Sequence, residues 1–170
     1  MQSTNSDPAQ CLCVPSTARR AVLEETEVGR DEASEGEEAQ GRVRSKKTIR
    51  IMLVDDHLVV RDGLAALLRL EGDLQVVAEA GDGRQAIERA RQERPDVILM
   101  DIMMPEMDGI VATRIIKSLL PDTKIVGLSL FEERHMRQSM MEAGASAYIS
   151  KSEGARVLVE TIRRCLESSV

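Results

Sequence analysis

The chain has 170 residues, a net charge of −6 and 42% hydrophobic residues, which suits one ordinary domain with a tail and excludes two large domains. No apolar run approaches the roughly 18 to 20 residues that a bilayer span needs, and the acidic balance argues against broad nucleic-acid binding by this chain. The first residues carry no apolar signal core and too many acids for a transit peptide, so a cytoplasmic location without membrane contact is expected.

Residues 1–46 show no sustained hydrophobic period and are rich in Ser, Glu, Gly and Ala, with the block Glu35-Gly36-Glu37-Glu38, so they are expected to form a disordered acidic tail. Cys11 and Cys13 lie there without a further Cys or His cluster; with Cys165 they make no disulfide framework and read as inert thiols of a reducing compartment. The basic cluster from Val43-Arg44 to Arg50 reads as a solvated entry to the domain, which occupies residues 47–170. Strand one is predicted over Ile51–Val54. Helix one follows over Leu58–Leu70, with Val60, Leu64, Leu67 and Leu68 on one face and Gly72 as its stop. Strand two spans Leu74–Ala78, Gly81-Asp82-Gly83 turns, and helix two spans Arg84–Arg94 before Pro95. Strand three spans Val97–Met100, and Asp108 is the expected N-cap of helix three, which Pro121-Asp122 closes. Strand four spans Ile125–Leu128 and ends at Ser129. Helix four spans Glu132–Ala143 with Gly144 at its C-terminus, strand five Ala147–Ser150, and helix five Val157–Cys165.

Five such units read as an α/β fold with a doubly wound five-stranded parallel sheet, because parallel strands need helical crossovers. With one Phe, one Tyr and no Trp, its core has to be aliphatic and methionine-packed. Each strand delivers a polar residue where it stops: Asp55 and Asp56, Asp101, Ser129, and Lys151. If strands one and three are neighbours, as in a flavodoxin-like order, the three carboxylates share one crevice at the carboxyl edge, where such sheets bind ligands. Like charges about 4 Å apart repel by roughly 4 kcal/mol at an effective dielectric near 20, and one ammonium against three acids leaves negative charge over. An all-oxygen site of that kind favours Mg²⁺. A carboxylate in such a site can attack a phosphoryl donor and become an aspartyl phosphate, while the cation, the ammonium and a hydroxyl stabilise the transferring oxygens.

The stretches Leu53-Val54-Asp55-Asp56-His57, Met100-Asp101-Ile102-Met103-Met104-Pro105 with Met107-Asp108-Gly109, and Ala143-Gly144-Ala145-Ser146-Ala147-Tyr148 through Lys151 closely resemble the receiver (CheY-like) domain of two-component response regulators. The likeness runs from about Thr48 onward and is closest to receivers that carry a LuxR-type helix-turn-helix output. It implies the strand order 2-1-3-4-5 with five helices, and a phosphoacceptor switch rather than an enzyme with turnover. By the same resemblance Asp101 is the phosphoacceptor, and Asp56 binds the metal directly. Asp55 binds it largely through water, and the Met103 backbone carbonyl is a further ligand. Ser129 would hydrogen-bond the phosphoryl group, Lys151 would pair with it, and Tyr148 would be the rotamer switch of the surface formed by helix four, strand five and helix five. The donor would be a sensor histidine kinase or a histidine phosphotransfer protein, and a receiver homodimer is a further partner that the resemblance admits.

Asp62, Asp73, Asp82, Asp96 and Asp122 fit helix-surface or turn positions and are assigned no chemistry; His57 reads as a positioning residue and His135 as solvated. Many receivers place proline after the lysine, whereas Ser152 follows Lys151 here, so a cis bond is not expected. The apolar Met103, Leu130 and Phe131 beside the site suggest a phosphoryl group shielded from water. Three rival readings stand beside the switch. One is the receiver half of a DNA-binding transcriptional regulator whose helix-turn-helix lies outside this chain. Another is a haloacid-dehalogenase-like phosphatase, which would need an acid at the position of Met103. The third is a receiver-shaped module that is never phosphorylated.

Overall fold

Apolar runs bounded by turn residues become strands covered on both faces, and the amphipathic stretches between them become the covering helices. The computed structural model describes residues 48–130 and 134–167. The expectations placed on the tail, on Cys11 and Cys13, on the first residues of the basic cluster, on Phe131 and on the start of helix four at Glu132 fall outside those residues. The elements are β1 (Ile49–Val54), α1 (Leu58–Leu68), β2 (Leu74–Ala80), α2 (Gly83–Glu93), β3 (Val97–Asp101), α3 (Gly109–Leu119), β4 (Lys124–Ser129), α4 (Arg134–Glu142), β5 (Ala147–Ser150) and α5 (Ala155–Glu167). The strands form one parallel sheet in the order β2-β1-β3-β4-β5. The chain crosses from β1 outward to β2 and then back past β1 to β3, so β1 and β3 flank the switch point.

Side-chain alternation along each strand divides the core in two. Ile51, Leu53, Leu99, Val126, Leu128 and Ile149 pack with Leu68 of α1 and with Leu158, Val159 and Ile162 of α5. Met52, Val54, Ile98, Met100 and Ile125 pack on the other face with Ala86, Ala90, Ala112, Ile116 and Met140 of α2, α3 and α4. Cys165 lies in the first of these layers, where burial pushes its thiol pKa up.

Helix ends follow local chemistry. Asp82 and Asp108 cap α2 and α3, their side chains accepting from the N–H groups of Gln85 and Val111. α2 ends at Glu93 and is capped by Arg94, which takes a left-handed conformation (φ 45°) ahead of Pro95. At the end of α4 the left-handed Gly144 (φ 103°) lets Ala145 N–H reach the Met140 carbonyl, as the sequence implied. α1 departs from expectation by ending at Leu68 rather than Leu70. Leu70 N–H bonds to the Leu67 carbonyl and Glu71 N–H to that of Leu68, so the last turn tightens before Gly72 is reached. The expected strand two and helix five were each short: β2 continues to Ala80 and α5 runs from Ala155 to Glu167.

Asp73 also corrects a sequence expectation. It is only 5% exposed and accepts two hydrogen bonds from Arg163 of α5, at 2.7 and 3.1 Å, so it pins α5 to the start of β2 rather than sitting on the surface. Among the described residues no peptide bond is cis and no helix is long and apolar enough to cross a membrane.

Candidate functional site

β1 and β3 run in register, with Val54 opposite Met100, so the residues that follow them leave the same edge of the sheet side by side. Asp55 is fully buried and Asp101 is 4% exposed, whereas Asp56 is open to solvent. Ligand atoms of Asp55, Asp56, His57 and Asp101 all lie within 4.8 Å of one another. β5 brings the counter-charge: Lys151 Nζ lies 2.6 Å from Asp55 Oδ2 and 2.8 Å from Asp101 Oδ2. The predicted convergence of three acids and one ammonium on a single pocket is present.

Backbone contacts hold these groups in place. The His57 N–H donates to Asp55 Oδ1 at 2.9 Å, and the His57 ring sets Nδ1 2.9 Å from Asp56 Oδ1 and 3.4 Å from Asp55 Oδ1. Met103 N–H donates to Asp101 Oδ1 at 3.3 Å, while the Met103 side chain is exposed. Ser129, buried at the end of β4, accepts the Lys151 N–H on its carbonyl at 2.7 Å. Tyr148 is buried on β5 opposite Gly127, with the Arg137 guanidinium 5.6 Å from its ring centroid.

Burial raises the Asp101 carboxyl above the usual carboxylate range, and the hydrogen bond and charge of Lys151 only partly offset this. Burial by itself would lower the Lys151 ammonium, but its hydrogen bonds to Asp101 and Asp55 outweigh that and hold it above its ordinary value. The pocket is therefore a charged cluster with more acid than base. Its donors are hard carboxylate oxygens with one imidazole beside them, a set that fits a small oxygen-seeking dication such as Mg²⁺.

Two contributors were assigned no role from the sequence. Arg61, one turn into α1, donates from Nη1 to the Asp55 carbonyl at 2.5 Å and lies 3.5 Å from Glu79 of β2, bracing the end of β1. Its position one helical turn after the acids is the clue that could have flagged it. Gly109 is the other. A Cβ there would meet the Asp101 carbonyl oxygen at 2.0 Å, so only glycine lets the start of α3 close against the end of β3.

An open parallel sheet with an acid-rich, lysine-balanced pocket at its switch point defines a ligand-binding α/β protein whose chemistry is that of oxyanions and cations. Residues 51–163 match the family described as response regulator receiver domain, and the chain belongs to that family, the receivers of two-component signalling. It is 40% identical over 114 residues to the transcriptional regulatory protein LnrK of Bacillus subtilis (67% of this chain, 52% of that protein). It is 38% identical over 117 residues to the response regulator protein VraR of Staphylococcus aureus (69% and 56%). The chain thus spans about half the length of the curated relatives it matches. Among solved structures it is similar to a LuxR-family two-component response regulator from Aurantimonas sp. SI85-9A1, at 37% identity and a TM-score of 0.69, over 72% of this chain and 87% of that one.

Proposed function

We propose that Asp101 accepts a phosphoryl group and that the resulting aspartyl phosphate switches the surface formed by α4, β5 and α5. The observation that carries this reading is the Lys151 ammonium bridging the buried carboxylates of Asp55 and Asp101, with Asp56 beside them at the pocket mouth. The donor is a sensor histidine kinase or a histidine phosphotransfer protein. An Asp101 carboxylate oxygen attacks phosphorus, the O–P bond forms as the P–N bond of the phosphohistidine breaks, and the imidazole leaves with the bonding pair. Lys151 then moves from bridging two carboxylates to pairing with a phosphoryl oxygen, and the Ser129 hydroxyl donates to another. Asp55, Asp56, Asp101 and the Met103 carbonyl would hold Mg²⁺, which when bound neutralises charge on the transferring oxygens. The protein is a phosphoacceptor that takes part in its own modification, in the cytoplasm, with receiver self-association as a further contact.

The test is incubation with acetyl phosphate and Mg²⁺ followed by intact-mass measurement. Wild type is expected to gain one phosphoryl group and Asp101→Asn none; a mutant labelled to the wild-type extent would reject the site. A second expectation concerns lifetime. Met103 places an exposed thioether beside the acyl phosphate, where an amide could instead orient water. Met103→Asn is expected to lose labelled phosphate up to about a hundredfold faster, the lower end of what a positioned polar catalytic group contributes. Equal or slower loss would count against shielding. The exposed Met103 also occupies the position where a haloacid-dehalogenase-like phosphatase would need its second acid, so turnover of small phosphate esters is not expected.

One observation favours a transcriptional role for the whole protein: LnrK is named a transcriptional regulatory protein, and this chain spans 52% of it. On that reading DNA contacts belong to the part of the regulator outside the matched half. The chain itself, at net charge −6, is then expected not to retain DNA in a mobility-shift assay.

A further inference from the structure

The Tyr148 ring lies close to one residue of α4 and shares a core layer with another. On its outer face the Arg137 guanidinium carbon lies 5.6 Å from the ring centroid, within the range of a cation–π contact. On the inner side the bare Cα of Gly127 leaves room for Met140, one helical turn after Arg137. A Cβ at Gly127 would come within 2.9 Å of Met140 Cγ and 3.6 Å of Tyr148 Cδ2. Met140 is fully buried and is itself held through its sulfur, which accepts from the buried Thr113 hydroxyl of α3 at 3.7 Å. The Met140 side packs whatever Arg137 does. The Arg137 side does not, because Arg137 is exposed and its head group lies over the ring from the solvent side.

We propose that Arg137 is the positioning residue that holds the Tyr148 ring in its buried packing, so that the ring and α4 move as one unit. The proposal rests on Tyr148 being the moving ring of the switch proposed above. It adds the element that the ring is tied to, and the restraint it names is an exposed cation whose removal opens no cavity in the core. A cation–π contact of this exposure biases a two-state ring about two- to fivefold, enough to tune a switch without locking it.

The chain contains one tyrosine and no tryptophan, so tyrosine fluorescence reports this ring alone. Acrylamide quenching of the full chain is expected to rise about two- to fivefold in Arg137→Gln and Arg137→Ala, and to stay near wild type in Arg137→Lys, which keeps the cation. Far-UV circular dichroism, unchanged across the set, separates a freed ring from a damaged helix. Quenching of Arg137→Gln equal to wild type would overturn the proposal. So would an increase in Arg137→Lys as large as in Arg137→Gln. After treatment with acetyl phosphate and Mg²⁺, wild type is expected to change its quenching and Arg137→Gln to change less; equal changes in the two with Asp101 labelled would also overturn it. Failure of Asp101 to take label in wild type sinks the phosphoacceptor reading instead, and the unmodified proteins still decide the role of Arg137.

Discussion

Lys151→Ala is expected to lower phosphoryl transfer to Asp101 by at least about a hundredfold and to destabilise the fold by about 3 to 5 kcal/mol at neutral pH. Both effects come from one atom. Lys151 Nζ reaches Asp55 at 2.6 Å and Asp101 at 2.8 Å, and both carboxylates are almost wholly withdrawn from water. Without the ammonium they face each other unscreened, and the group that would pair with the transferring phosphoryl is gone. The sign of the pH dependence follows from Asp101, which burial already pushes up and Lys151 partly pulls back. Removing Lys151 pushes the folded-state value further above that of the unfolded chain. A carboxyl raised in this way favours the fold below its ordinary range and loses that contribution as pH climbs through the folded value. The deficit of Lys151→Ala against wild type should therefore be small near pH 4 and grow toward pH 7. Urea denaturation across that range measures it; a deficit independent of pH would show that the two acids do not share an unscreened pocket in the variant. Lys151→Arg keeps the charge but replaces a compact ammonium with a planar fork, and is expected to recover stability more fully than transfer.

The sheet was legible because each of its inner strands is covered on both faces, which leaves unbroken runs such as Ile51–Val54 and Val97–Met100 in the sequence. The site was legible for a related reason. Its charged members sit one step beyond those runs, and the crossover rule puts such steps at one edge. Element ends were less so. Where α1 stops depends on two carbonyl contacts of Leu70 and Glu71, which no residue type announces. Long-range pairings were not legible at all. Asp73 has the composition of a turn residue, and its burial depends on Arg163, 90 positions away. Arg137 drew no reading from the sequence, because nothing local states that the ring of Tyr148 lies near it. In each of these cases the missing information is a partner from another element, which neither periodicity nor turn chemistry encodes.

Gly109→Ala tests how tightly the site depends on that packing. The sequence marked the glycine as the end of the matched Met107-Asp108-Gly109 stretch, after an N-cap, without giving it a role, and in the structure it is where α3 touches β3. Its N–H donates to the Ile102 carbonyl at 2.9 Å, and an added methyl would stand 2.0 Å from the Asp101 carbonyl oxygen and 3.0 Å from Met100 Cγ. A flexible side chain could yield to such a methyl, but a backbone carbonyl in the central strand of the sheet cannot. α3 must retract, which breaks the Ile102 hydrogen bond and drags the loop that carries Met103 away from Asp101. Overpacking of a rigid contact commonly costs about 1 to 3 kcal/mol, and the lost hydrogen bond adds to it, so a loss of about 3 kcal/mol or more is expected. Phosphoryl acceptance should fall with it, because Asp101 moves with the carbonyl that is pushed. Gly63→Ala supplies the opposite case in the same protein. Gly63 lies on the exposed face of α1, and a Cβ there has nothing within 4 Å, so the substitution is expected to stabilise by about 0.5 to 1 kcal/mol and leave acceptance unchanged. Urea midpoints and acetyl phosphate labelling of the two variants read both effects. A Gly109→Ala protein as stable as wild type would mean that the junction of β3 and α3 yields where this packing says it is closed.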